Sequence, residues 1–130
     1  MGKKLAIVGH PTRGKEVIEL LKMLGGAPQA ASGFRESYCY YISEYASTKY
    51  KYICWDYIGS EELDAYKIFT LEEFLERFPY KVGDEFCNPY DKITEMFWDE
   101  EDEIVYYKTE YSRDYVTTTD IMLDNYARIK

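Results

Sequence analysis

KKLAIVGHPTRGKEVIELLKMLGG, residues 3–26, decides the fold. Leu5, Ala6, Ile7 and Val8 form a continuous apolar run, the pattern of a short strand buried on both faces. Beyond the glycine turn, Val17, Leu20, Leu21 and Leu24 recur at i, i+3, i+4 and i+7 with Ile18 beside them, which predicts a helix with one apolar face. Thr12 is the expected N-cap, and Glu16 and Glu19 lie where the helix dipole favours acids. Gly25 or Gly26 is expected to end the helix in a left-handed conformation. The stretch therefore predicts a βα unit.

Outward from it, residues 27–37 are small and polar and include Pro28 and Gly33, as in an irregular loop. Two aromatic runs, residues 38–45 and 50–58, flank Ala46-Ser47-Thr48-Lys49 and predict an antiparallel hairpin. Residues 66–69 suit another strand. Thr70-Leu71-Glu72-Glu73 then reads as a capping box, with Phe69 and Phe74 at the two positions of a hydrophobic staple. Leu71, Phe74, Leu75 and Phe78 form the stripe of this second helix, and Pro79 follows it. After residue 79 short strand patterns take over at 80–86, 93–98, 104–109 and 111–118, before a final helical turn capped by Thr119. The fold class expected is α+β. A small mixed sheet with two helices occupies residues 1–78, and an antiparallel β-meander or small barrel occupies 79–130.

Charge divides at the same place. Residues 1–78 carry ten Lys/Arg against eleven Asp/Glu, and residues 79–130 carry six against thirteen, so −7 of the net −8 falls in the second part. Such a field repels nucleic acid and acidic membranes and favours a basic partner. Three cysteines, Cys39, Cys54 and Cys87, without a CxxC and with His10 as the single histidine, do not supply the four ligands of a structural zinc site. Their odd number is expected of reduced thiols in a cytoplasm. No apolar run approaches the ~20 residues of a membrane span.

The turn itself resembles a phosphate-binding loop in part. Gly9, Gly14 and Lys15 match G-x-x-x-x-G-K-[ST], but Glu16 stands where the metal-binding hydroxyl belongs, and Pro11 removes one N–H donor. The run Tyr52-Ile53-Cys54-Trp55-Asp56 ends in an acid as a Walker B strand does, yet the chain has too few βα units for a parallel nucleotide-binding sheet. NTP hydrolysis is therefore not expected, and the candidate role is anion or nucleotide binding by Gly9, Thr12, Arg13, Gly14 and Lys15 at the helix N-terminus. No spacing pairs His10 with a cysteine nucleophile, and no cofactor, metal ligand set or catalytic residue is predicted.

The second candidate is the acidic run Asp99, Glu100, Glu101, Asp102 and Glu103, flanked by Trp98 and Tyr106. Between the arms at residues 95–98 and 104–107 it reads as a hairpin tip. Acids there would steer a basic protein partner while the aromatics anchor it.

Val82-Gly83-Asp84, a strand pair split by a charged turn and a closing strand resemble the start of a KOW/Tudor-type small β-barrel over residues 80–118. That likeness implies a binding module for proteins or nucleic acids. The stretches IVGHPTRGKEVIELLKMLGG, FTLEEFLERFPYKVGD and ITEMFWDEEDEIVYY are similar to uncharacterised small proteins of phages and prophages of gut bacteria. This resemblance implies a bacterial host cytoplasm and no site residues. By analogy with small acidic proteins that block host defences, it implies an anti-CRISPR-like inhibitor. The expected function is a non-catalytic acidic binding protein; the alternatives are nucleotide sequestration at the Gly9 turn and self-association through the Tyr-rich strands.

Overall fold

A computed structural model describes residues 2–28, 31–44, 51–87, 90–123 and 127–128. Strand β1 (Lys4–Val8) leads through the turn into α1 (Gly14–Met23), and β2 (Tyr38–Glu44) and β3 (Lys51–Tyr57) follow. A 3-10 turn at Glu61–Leu63 precedes β4 (Tyr66–Phe69) and α2 (Leu71–Arg77). The second part holds β5 (Glu85–Cys87), β6 (Asp91–Asp99), β7 (Ile104–Thr109), α3 (Thr118–Leu123) and β8 (Ala127–Arg128). The result is an α+β fold with two four-stranded sheets, ordered β3-β2-β1-β4 and β7-β6-β5-β8.

β1 is central, antiparallel to β2 and parallel to β4. Leu5 and Ile7 enter the main core, whereas Ala6 packs with Cys39 and Leu63 in a smaller cluster. The apolar run is thus covered on both faces, as its lack of alternation predicts. α1 buries Val17, Leu20, Leu21 and Leu24, each such side chain contributing roughly 1.5–3 kcal/mol on leaving water. Its end is a Schellman motif: Gly26 N–H donates to Leu21 O at 2.9 Å and Gly25 N–H to Lys22 O at 3.0 Å, with Gly25 at φ 108°. The capping box of α2 is complete, because Thr70 Oγ1 accepts from Glu73 N and Glu73 Oε1 accepts from Thr70 N. Phe69 and Phe74 meet edge to face at 5.8 Å.

β2 and β3 pair antiparallel from Tyr38↔Tyr57 to Glu44↔Lys51, and the expected connection at 46–49 lies outside the described residues. In the second part β5, β6 and β7 form the meander, and β8 adds to the free edge of β5. Among the described residues no pairing joins β7 to β8 to close a barrel.

Four expectations change. The strand pattern at 80–86 gives a turn at Val82 and Gly83, closed by Asp84 N–H donating to Lys81 O, and a strand only from Glu85. Thr12 does not cap α1: the N-cap is Arg13, which has no side-chain cap bond. Residues 111–118 are not a strand but a bend that makes one bridge, Tyr107↔Val116. The cause is buried Asp91, 4% exposed, which accepts from Thr109 Oγ1 at 2.7 Å and from Tyr111 N at 3.2 Å and turns the chain away from β7. The cap of α3 is Thr117, which exchanges hydrogen bonds with Asp120, rather than Thr119.

The sheets share one core. Leu5, Ile7, Leu21 and Phe74 belong to the same buried cluster as Phe86, Ile93, Met96, Val105 and Tyr107. Trp98 closes the seam between them, with its ring edge to face against Phe69 at 6.0 Å and Phe78 at 6.1 Å.

Candidate functional site

The β6–β7 hairpin projects the acidic run. Its tip is tied by backbone: Glu103 N–H donates to Asp99 O at 2.8 Å, and Asp99 Oδ1 accepts from Glu101 N at 3.0 Å. Glu103 adopts the left-handed conformation at φ 55°, where a side chain costs about 1 kcal/mol relative to glycine. Ion pairs elsewhere join Arg13 to Glu16, Lys22 to Glu19 and Lys108 to Glu95. Among the described residues none reaches Asp99, Glu100, Glu101, Asp102 or Glu103.

Beside the tip lies an aromatic cluster on the outer face of the second sheet. Phe97 stacks on Tyr106 at 5.4 Å and 17°, and Tyr115 meets Phe97 edge to face at 4.5 Å. Tyr115 is 47% exposed. Tyr106 Oη donates to Asp102 Oδ2 at 2.8 Å; this bond, with burial and the nearby Asp99 and Asp120 carboxylates, holds the phenol above its ordinary pKa. The cluster is thus a rigid apolar surface of modest size, rimmed by carboxylates.

Trp98 takes a different place from the one its sequence neighbours suggest. It faces the core, and its Nε1–H donates to Lys3 O at 2.9 Å, so it is unavailable as a surface anchor. The register shift in β6 between Ile93 and Glu95 is the reason. A bulge moves every later side chain to the opposite face. Ile93, Met96 and Trp98 therefore point inward, while Phe97 points outward with Tyr106. Phe97 and Tyr115 are the surface residues that sequence reasoning missed. Strict alternation from Ile93 would have put Phe97 inside, and Tyr115 joins the cluster only through the bend that Asp91 organises.

The Gly9 turn is internally satisfied. Gly9 N–H donates to Tyr38 O at 3.0 Å and His10 N–H to Gly33 O at 2.8 Å. His10 Nδ1 accepts from Thr12 N at 3.2 Å and Arg13 N at 3.0 Å. Backbone N–H groups only donate, so Nδ1 is unprotonated and the ring proton is on Nε2, which lies 3.3 Å from Glu72 Oε1. His10 thus braces the turn that leads into α1 and ties it to the start of α2. Arg13 is held bidentately by Glu16, through Nε at 3.0 Å and Nη2 at 2.6 Å. Gly9 and Gly14 allow the 33–35 segment to approach: a Cβ on Gly9 would lie 2.1 Å from Arg35 O, and one on Gly14 would lie 2.6 Å from the Phe34 ring. The depression beside the turn is bordered by Glu36 and Glu72, which repel an anion. Of the five candidate anion-binding residues, Lys15 alone keeps an exposed charge with no ion pair among the described residues.

Among the described residues no group of three or more His, Cys, Asp or Glu side chains is arranged to hold a metal ion. Cys39 is buried and free, and burial raises its thiol pKa, the reverse of what activates a nucleophile. No helix among them is long and apolar enough to cross a membrane. Compared with protein-family models, with curated proteins and with solved structures, the chain matches none of them.

Proposed function

We propose that this is a non-catalytic binding protein whose acidic hairpin tip and neighbouring Phe97–Tyr106–Tyr115 cluster dock on a basic surface of a partner protein. The observation that carries this reading is the clustering of five consecutive carboxylates at 99–103 on one hairpin tip with no cation paired to any of them among the described residues. Unpaired charges of one sign speed encounter and select the partner, and adjoining aromatics supply contact area. The left-handed Glu103 adds support, since residues held in costly conformations cluster at functional sites. With the likeness to phage and prophage proteins, the fitting partner is a nucleic-acid-handling enzyme of bacterial defence, whose basic groove the tip would occupy. Nucleotide sequestration at the Gly9 turn has the occupied N–H donors of residues 9–13 and the Arg13–Glu16 pair against it.

The test is capture of the partner from a bacterial lysate, followed by affinity measurement with the wild type, Glu100→Lys/Glu101→Lys/Glu103→Lys and Phe97→Ala. The triple reversal should weaken binding by at least ~100-fold and Phe97→Ala by about 10-fold, with DNA or RNA competing for the same partner surface. Undiminished binding by the triple reversal would sink the proposal.

A further inference from the structure

A second surface feature lies between α1 and α2. A recess of about 260 Å³ has Leu20 and Leu71, 3% and 1% exposed, as its floor and Met23 and Leu75 as its walls. The two pairs sit at i, i+3 on α1 and i, i+4 on α2, so each helix turns the margin of its apolar stripe toward the gap. Lys15 and Lys81 stand at its rim.

The rim combines two lysines with two glutamates. Glu16 and Glu19 each already have another cation partner, Glu16 with Arg13 at 2.6 Å and Glu19 with Lys22 at 3.1 Å. The Arg13 bond is the main reason the Glu16 carboxyl is held low, and Lys81 adds a lesser attraction. Neither Lys15 nor Lys81 forms an ion pair within 4.0 Å among the described residues. Two unpaired cations beside apolar side chains, on a chain of net charge −8, complement a ligand with an apolar body and an anionic head.

We propose that the α1–α2 recess binds a small carboxylate amphiphile, its short apolar chain over Leu20, Met23, Leu71 and Leu75 and its carboxylate between Lys15 and Lys81. Size limits the occupant. The volume is below the roughly 300–1,000 Å³ of sites for drug-sized ligands. One turn of a partner helix ~10 Å across occupies on the order of 400 Å³, more than the recess holds. This site is independent of the acidic tip and stands or falls separately.

The experiment is a methyl-detected NMR titration of the full chain with sodium octanoate, octylammonium chloride and octanol, each kept below its micellar concentration. Octanoate should give saturable shifts of the Leu20, Met23, Leu71 and Leu75 methyls. Octylammonium and octanol should bind at least ~10-fold more weakly, and K15Q/K81Q should bring octanoate to the octanol level. Absence of saturable shifts at these methyls, or equal affinity for the three probes, overturns the proposal on the wild type alone. Methyl shifts that follow protein concentration without any probe also overturn it, by assigning the recess to a second copy of the chain.

Discussion

At residues 9–13 the described backbone donors and the guanidinium of Arg13 all end on internal acceptors, whereas at residues 99–103 five carboxylates crowd a tip with no cation paired to them. Both segments are turns between regular elements, and both carry the charged residues that attract a functional reading. The difference lies in what surrounds them. The first turn is overlaid by the 33–35 segment and by Glu72 of α2, so its polar groups must be paired inside the protein. The second has Gly2 packed against its Glu100 backbone, but the side chains of Glu100, Glu101 and Asp102 are exposed and carry no cation partner among the described residues.

The comparison can be broken most directly at Gly9. Gly9→Ala brings a Cβ to 2.1 Å from Arg35 O, and backbone cannot yield as a side-chain end would. A loss of about 3 kcal/mol is expected in urea unfolding; a neutral result would mean the overlay is loose and the turn open to ligands. His10→Ala removes the acceptor for two backbone N–H groups and the link to Glu72. It should cost about 1–2 kcal/mol, the range for leaving backbone donors without their acceptor. If stability were unchanged, water would have to take the place of the His10 ring as their acceptor.

At the acidic tip the sign should reverse. Glu103→Gly relieves the left-handed strain and one of five neighbouring like charges, so a gain of about 1 kcal/mol is expected, alongside weaker partner binding. A loss of stability would show that the Glu103 side chain makes internal contacts, contrary to the comparison.

The smallest effect is a pH dependence. Arg13 holds the Glu16 carboxyl below its ordinary value, so the folded pKa is lower than the unfolded one near ~4.3. Its contribution is fully present above the unfolded value and is lost as pH falls through the folded value. Glu16→Gln should therefore lower the urea midpoint slightly at pH 6, and its gap from the wild type should narrow as the pH falls below the ordinary carboxylate range. Parallel curves for the two proteins would remove the Arg13–Glu16 pair from the account of the turn.

Local rules made much of the first half readable. The buried run of β1, the stripe and glycine stop of α1, and the capping box and staple of α2 all depend on residues within a few positions of each other. The parallel pairing of β1 with β4 was not readable, because some sixty residues separate the partners and no local pattern sets their register. The candidate surface was half readable. The acidic run announces itself by composition, but its aromatic neighbours do not, because one extra residue in β6 exchanges the faces of Phe97 and Trp98.

By itself, then, the sequence determined the first two helices with the glycine stop of α1 and the capping box of α2, the strand-rich second part and the concentration of negative charge there, since propensity, capping and composition act over short distances. The tertiary structure alone decided that both sheets share one core, that Trp98 seals it, and that His10 accepts from the backbone N–H groups of Thr12 and Arg13. It also decided that the donors of residues 9–13 end on internal acceptors while the 99–103 carboxylates have no cation partner among the described residues. Those outcomes follow from which distant groups come to lie against each other, and hydrogen bonds and burial are fixed only at that stage.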